Sequence, residues 1–126
     1  MRALKITTDF TITEIELHEP LYKTIRVELG GRMEIVRPRR MAPPLVMIVD
    51  EEGLLKELPL NTIGSYLYET DKHNQPIVGD IIIMQEAMGI DGIDLVGLEQ
   101  SQIDQLTLHF GNMAKFFSEP QCRGKA

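Results

Sequence analysis

Residues 77–84 read Ile-Val-Gly-Asp-Ile-Ile-Ile-Met, and residues 45–49 read Leu-Val-Met-Ile-Val. Both runs are short, strongly apolar and bounded by turn-forming residues, which is typical of β-strands. The run 45–49 has no polar side, so it predicts a central strand that is covered on both faces. Both are far shorter than the roughly 20 apolar residues needed to cross a bilayer. We therefore expect two core strands and no membrane span.

The apolar side chains before these runs follow two different periods. Leu4 and Ile6 alternate with polar residues, as in a half-buried strand, and residues 33–36 predict another short strand. A helix is expected to begin at Pro20, where a missing N–H costs nothing, and to end at Gly30.

The clearest predicted helix lies between residues 100 and 117, where large apolar side chains recur at steps of three and four. Strands interspersed with only two convincing helices do not give the regular alternation of a doubly wound fold. The prediction is a single α+β domain over residues 1–126, with a mixed or antiparallel sheet, helices packed mainly on one face, and a frayed tail from about residue 119. The apolar positions of the last helix are Ile103, Leu106, Phe110, Met113 and Phe117.

The segment Leu58-Pro59-Leu60-Asn61 is expected to form a structural corner. Pro59 ends the element before it, and the Asn61 side chain can satisfy free backbone N–H groups at the start of a short helix. Asn61 is therefore assigned to stability and not to a dedicated activity.

Charge and cysteine content limit the classes of function. The chain of 126 residues has a formal net charge of -6, which disfavours a general nucleic-acid binder because such proteins gain affinity from clustered Lys and Arg. The one cysteine, Cys122, cannot form an internal disulfide, and the first residues lack the apolar segment of an export signal. We expect a cytoplasmic protein, and these patterns leave its oligomeric state and strand order open.

No pattern of catalytic, cofactor-binding or metal-binding residues stands out, so none is predicted. Glu69, Asp71 and His73 alternate and could offer metal ligands, but a solvated turn is favoured because no Cys or second His lies at ligand spacing. The glycines lack the spacing of a dinucleotide or phosphate loop. The alternative is a small enzyme or small-molecule-binding domain whose site is assembled from scattered residues such as Tyr66, Tyr68, His73 and Asp80.

An acidic stretch is the first candidate surface. Six acidic residues and no Lys or Arg occur from residue 80 to residue 104. Because a run of one sign attracts basic surfaces, Glu86, Asp91 and Asp94 are candidate partner-binding residues.

A plainer interpretation of that stretch is favoured. Asp80 can pair within the sheet, Glu99 can serve the N-terminus of the last helix, and the other acids can be solvated. If the acids do not bind, the apolar residues around Ile90 and Ile93 become the candidates.

A second candidate surface is the basic loop of Arg37, Arg39 and Arg40, which Pro38 interrupts. An exposed loop of this kind could contact phosphate or an acidic protein surface. A simply solvated loop is favoured, because no interleaved aromatic residues offer a platform for stacking bases.

The order of the short motifs resembles a family of small proteins of unknown function carried by phages, plasmids and conjugative elements of Gram-positive bacteria. The likeness spans residues 15–117, and the helix from Leu98 to Phe110 with its polar first turn also fits. Thr62 departs from the pattern, since members often have a basic residue there, and residues 84–86 extend a strand that often stops earlier. The motifs are Glu52-Gly53, Leu58-Pro59-Leu60-Asn61 and Ile77-Val78-Gly79-Asp80.

The resemblance implies a genetic context more than a mechanism, and it carries no catalytic or binding residues over to this chain. It implies an accessory protein of a mobile element. Together with the small size and acidity, it favours a non-enzymatic module that binds a host protein. A nucleic-acid accessory protein using the 37–40 loop is the remaining alternative.

Overall fold

Six strands and four helices form the fold in a computed structural model, which describes residues 1–119 apart from the side chain of His73. Cys122 and the tail after residue 119 lie outside the described residues. The strands are β1 (Arg2–Ile6), β2 (Ile12–Glu16), β3 (Met33–Val36), β4 (Leu45–Asp50), β5 (Ile81–Gly89) and β6 (Gly92–Val96), and the helices are α1 (Leu21–Leu29), α2 (Thr62–Tyr68), α3 (Thr70–His73) and α4 (Gln100–Ser118).

All six strands belong to one sheet, in which the order is β2-β1-β5-β4-β3 and β6 is paired with β5. Every pairing is antiparallel. β5 lies at the centre, so that Ile83 is flanked by Leu4 of β1 and by Met47 of β4. The predicted α+β class is confirmed, and the sheet is the antiparallel one of the two alternatives.

The central strands bury apolar side chains on both faces because successive residues point to opposite sides of a sheet. Ile81 and Ile83 belong to the cluster beneath α2 and α4, whereas Ile82 and Met84 belong to the cluster beneath α1. All four side chains are fully buried. This explains why these runs have no polar side.

The helices lie mainly on one face of the sheet, as predicted. Ile103 and Phe110 of α4 are buried against that face together with Ile63 and Leu67 of α2. The opposite face is covered by the nine-residue α1. α1 ends at Gly30, whose φ of 82° lies in the left-handed region that glycine adopts without strain.

The Asn61 corner (residues 58–61) is confirmed as a structural feature. The side chain is 1% exposed, and its Oδ1 atom accepts a hydrogen bond of 2.9 Å from the Gly64 N–H at the start of α2. Its Nδ2 atom donates to the carbonyl oxygens of Ile6, at 3.1 Å, and Gly79, at 3.0 Å. One buried amide therefore joins β1, α2 and the segment before β5.

The prediction of a strand over residues 77–84 was wrong at its start. Val78 forms only an isolated bridge with Leu60, and Gly79 has a φ of 79°, so the chain bends before β5 begins at Ile81. β5 then continues to Gly89 and returns in β6, a strand that the sequence analysis left unassigned.

Candidate functional site

The second half of β5 and all of β6 form a hairpin that extends beyond the rest of the sheet. β1 pairs with β5 as far as Ile83, and β4 pairs with it as far as Gln85. Beyond that point, β6 is the only partner strand of β5 in residues 1–119, across a two-residue turn at Ile90-Asp91. We refer to residues 86–96 as the hairpin.

One face of the hairpin is apolar and exposed. Met88 and Ile93 are cross-strand partners, so their side chains share a face. They are 81% and 58% exposed, and Ile90 in the turn is fully exposed. Leu95 lies on the same face by alternation and packs partly against the cluster beneath α1. A continuous apolar strip therefore runs from the core to the tip of the hairpin.

A groove of about 520 Å³ follows this strip between the hairpin and α1. It exists because the single short helix on this face leaves neighbouring side chains only partly covered. Tyr22 of α1 is exposed, and Met33 and Ile35 of β3 are half-buried. The groove is lined by Glu19, Leu21, Tyr22, Met33, Ile35, Ile93, Asp94, Leu95 and Val96.

The structure joins one residue from each of the two predicted surfaces. The Arg37 guanidinium donates Nε and Nη2 hydrogen bonds of 2.8 and 2.7 Å to the two carboxylate oxygens of Glu86. These hydrogen bonds and the guanidinium charge lower the pKa of Glu86, although partial desolvation opposes the shift. The same hydrogen bonds and the Glu86 charge raise the pKa of Arg37. Neither residue is the free surface charge that the sequence analysis expected.

Asp91 and Asp94 remain as the exposed acids of the candidate set. Asp91 lies in the turn, and Asp94 is paired with Ala87 on the face opposite Met88 and Ile93. Neither forms an ion pair with any described residue.

The other acids of the predicted stretch serve the fold, in line with the favoured interpretation. Asp80 accepts a hydrogen bond from the Thr8 N–H and lies 3.8 Å from the Lys5 ammonium. Glu99 forms a capping box at the start of α4, and Asp104 accepts a hydrogen bond from Gln100. The stretch from residue 80 to residue 104 is therefore not one acidic surface.

The predicted arginine cluster also divides. Arg40 lies over the Tyr66 ring, with its Cζ atom 4.2 Å from the ring centroid, and its Nη1 atom donates to the Tyr66 carbonyl oxygen at 2.9 Å. Its Nε atom is 4.0 Å from Oε1 of Glu69. Arg39 is exposed and forms no hydrogen bond or ion pair within residues 1–119. Arg37 is therefore held by Glu86, whereas Arg40 lies beside Tyr66 and Glu69.

The residues proposed for a scattered site have separate partners. Tyr66 lines a groove between α2 and α4, whereas Asp80 contacts β1 and the loop after it. Tyr68 is half-buried against the core. In the described part of the chain, no group of three or more His, Cys, Asp or Glu side chains is arranged to hold a metal ion.

The pKa of Glu69 is lowered mainly by a hydrogen bond from Lys72, with smaller contributions from the charges of Lys72, Arg40 and Arg39, while partial burial opposes the shift. The Lys72 Nζ atom is 3.1 Å from Oε2 of Glu69. Glu69 is thus held by cations of the protein itself.

A family model described as a domain of unknown function, DUF3846, matches residues 1–111. The chain belongs to the DUF3846 family. The match begins earlier and ends earlier than the resemblance over residues 15–117. No curated protein and no solved structure matches the chain significantly. Among residues 1–119, none of the helices has the length and apolar character of a membrane span.

Sequence reasoning missed the hairpin of this DUF3846 chain, although its signal is present. Gly89 and Gly92 flank the two-residue turn, and Ile93 and Leu95 alternate with polar or small residues. An Asp-Gly dipeptide between apolar segments is a recognised hairpin pattern, and Asp91-Gly92 supplies it.

Proposed function

We propose that the chain is a non-enzymatic binding module whose hairpin docks on a basic surface of a host protein. The observation that carries the proposal is the exposure of Met88, Ile90 and Ile93 on an arm that extends past the sheet. Exposed apolar side chains grouped together are the usual mark of a protein-binding site.

The hairpin offers a partner two kinds of contact. β6 pairs with β5 and with no other strand among residues 1–119, so its outer edge is available to an extended segment of another protein. The apolar strip and the groove beside Tyr22 would then bury side chains of that segment.

The charge of the hairpin supports a basic partner. Asp91 and Asp94 form no ion pair within the described residues, and the whole chain carries a net charge of -6. Charges at the rim of an interface mainly accelerate association, whereas the apolar centre supplies most of the affinity. The same two acids disfavour pairing with a second copy of the chain, because like charges would face each other.

The resemblance to proteins of phages, plasmids and conjugative elements supports a role as an accessory protein of a mobile genetic element, acting in the cytoplasm of the host. A small non-enzymatic protein in such a setting acts by occupying a surface of a host protein. This context rests on the resemblance.

The test compares capture of proteins from a lysate of the host by the immobilised chain and by two variants. One variant carries Met88→Ser, Ile90→Ser and Ile93→Ser, and the other carries Asp91→Asn and Asp94→Asn. Leu108→Ser is the matched control, because Leu108 is an exposed apolar residue on α4. Captured proteins are identified and purified, and their affinity for the chain is measured at low and high salt.

We expect at least one purified basic protein to bind the unmodified chain and the control alike, and to lose about tenfold or more in affinity to the serine variant. The asparagine variant should mainly slow association and weaken its salt dependence. Equal binding by all variants would show that the hairpin does not take part in the interaction. Salt-independent binding would show that the two acids do not contribute to it.

A further inference from the structure

A second groove, on the face of the sheet opposite the apolar strip, combines aromatic rings with cations. It has a volume of about 510 Å³ and lies between α2 and α4, which is within the size range of small-molecule sites. Its lining consists of Arg40, Tyr66, Leu67, His109, Met113, Phe116 and Phe117.

The rings of this groove form a connected and partly exposed cluster. The Tyr66 and Phe117 centroids are 5.5 Å apart, and Phe117 meets Phe116 edge-on at 5.4 Å. Tyr66 is 44% exposed and Phe116 is 59% exposed, although both are large rings that proteins usually bury. The exposed Phe116 ring, held against Phe117, is suited to stacking on a flat ligand, whereas Arg40 already lies over the Tyr66 ring.

The cation beside the rings is fixed in position. The hydrogen bond to the Tyr66 carbonyl oxygen holds the Arg40 guanidinium over the Tyr66 ring. Its Nη2 atom has no hydrogen-bond partner among residues 1–119, so its hydrogens are available to a ligand oxygen. Arg39 is adjacent in sequence and forms no ion pair within the described residues. The nearby acid, Glu69, is already paired with Lys72 at 3.1 Å.

We propose that this groove binds a nucleotide, with the base stacked on Phe116 and the phosphate held by Arg40 and Arg39. Aromatic stacking combined with arginine is how proteins bind single-stranded nucleic acid without reading its sequence. The structure thus supplies the aromatic platform that the 37–40 loop lacks in sequence. The net charge of -6 opposes a long polyanion, so the site takes one or two nucleotides, free or at the end of a strand.

Two probes distinguish those sources of the ligand. Binding of adenosine monophosphate is measured by calorimetry, and binding of a fluorescent hexamer of deoxyadenylate is measured by anisotropy. Equal affinities would identify a free nucleotide as the ligand, and a preference for the hexamer would identify a strand end. Both outcomes support the proposal.

The variants are Phe116→Ala and Arg39→Gln, which change exposed residues and leave the buried core intact. Tyr22→Ala and Arg26→Gln are their matched controls on α1, at the other face of the sheet. We expect Phe116→Ala to weaken binding about tenfold or more, and Arg39→Gln to weaken it severalfold and reduce its dependence on salt. The controls and the serine variant of the hairpin should bind like the unmodified chain.

The proposal is overturned if neither probe binds at millimolar concentration, or if binding survives Phe116→Ala and Arg39→Gln. It is also overturned if the α1 controls reduce binding equally. Because the hairpin lies elsewhere, failure of the nucleotide site would leave the proposed protein-binding role unaffected, and the reverse holds as well.

Discussion

The Asn61 corner and the hairpin lie before and after the buried centre of the same strand, β5. The corner buries a polar side chain, whereas the hairpin exposes apolar ones. At the corner a buried amide uses both of its polar atoms on backbone groups. At the hairpin Met88 and Ile90 reach solvent with most of their apolar surface uncovered. A buried polar side chain whose hydrogen bonds are all formed within the fold indicates a structural role. Exposed apolar side chains that are grouped together indicate a surface for binding a partner.

The largest effect expected from this comparison is the loss of the Asn61 side chain. Asn61→Ala leaves the Gly64 N–H and the Ile6 and Gly79 carbonyls without their buried partner, which should lower the free energy of unfolding by about 3 kcal/mol. Chemical denaturation measures the change. Asn112→Ala, at an exposed position of α4, is the control and should stay within about 0.5 kcal/mol. A loss below about 1 kcal/mol at Asn61 would contradict its structural role.

A pair of glycines tests how tightly the corner is packed. A Cβ atom at Gly64 would lie 2.8 Å from Ile77 Cγ2 and 3.3 Å from Asn61 Oδ1, whereas one at Gly111 of α4 would meet nothing within 4 Å. Gly64→Ala should therefore lower the free energy of unfolding by about 1 kcal/mol, even though alanine favours a helix. Gly111→Ala should raise it by about 0.5–1 kcal/mol. Stabilisation by both substitutions would show that the corner can accommodate an additional methyl group at position 64.

The ion pair at the base of the hairpin should give the smallest effect on stability, with a defined pH dependence. Arg37 lowers the pKa of Glu86 below its ordinary value of 4.5, so the pair stabilises the fold above that pH and loses its contribution as the pH falls through the lowered pKa. Glu86→Gln should reduce the melting temperature slightly at pH 7, and the difference from the unmodified chain should shrink towards pH 3.

Exposed Glu14 provides the comparison for this ion pair, because it forms no ion pair with a described residue. Glu14→Gln should change the melting temperature by a similar small amount at both pH values. Addition of salt at pH 7 should reduce the effect of Glu86→Gln, since Arg37 is largely exposed. A difference that grows on acidification would contradict the assignment.

The sequence predicted the buried parts of the molecule better than the exposed ones. Periodicity located α4, an uninterrupted apolar run located β4, and the chemistry of Asn61 located the corner, because burial constrains residue type at each position. The pairing of Arg37 with Glu86 could not be predicted, since 49 residues separate them and only the order of β3, β4 and β5 brings them together. The aromatic groove could not be predicted from the sequence either, because Tyr66 and Phe117 come from different helices.

The central claim is that the hairpin is a contact surface for another protein, and site-specific photocrosslinking tests it most directly. A photoreactive amino acid is placed at position 90, in the hairpin turn, or at position 108, an exposed apolar site on α4. Neither replacement should change the free energy of unfolding by more than about 0.5 kcal/mol. After irradiation in host lysate, we expect the variant with the photoreactive residue at position 90 to crosslink to one discrete basic protein. The variant with the residue at position 108 should not crosslink to that protein. The same crosslinked products from both positions, or none from position 90, would contradict the central claim.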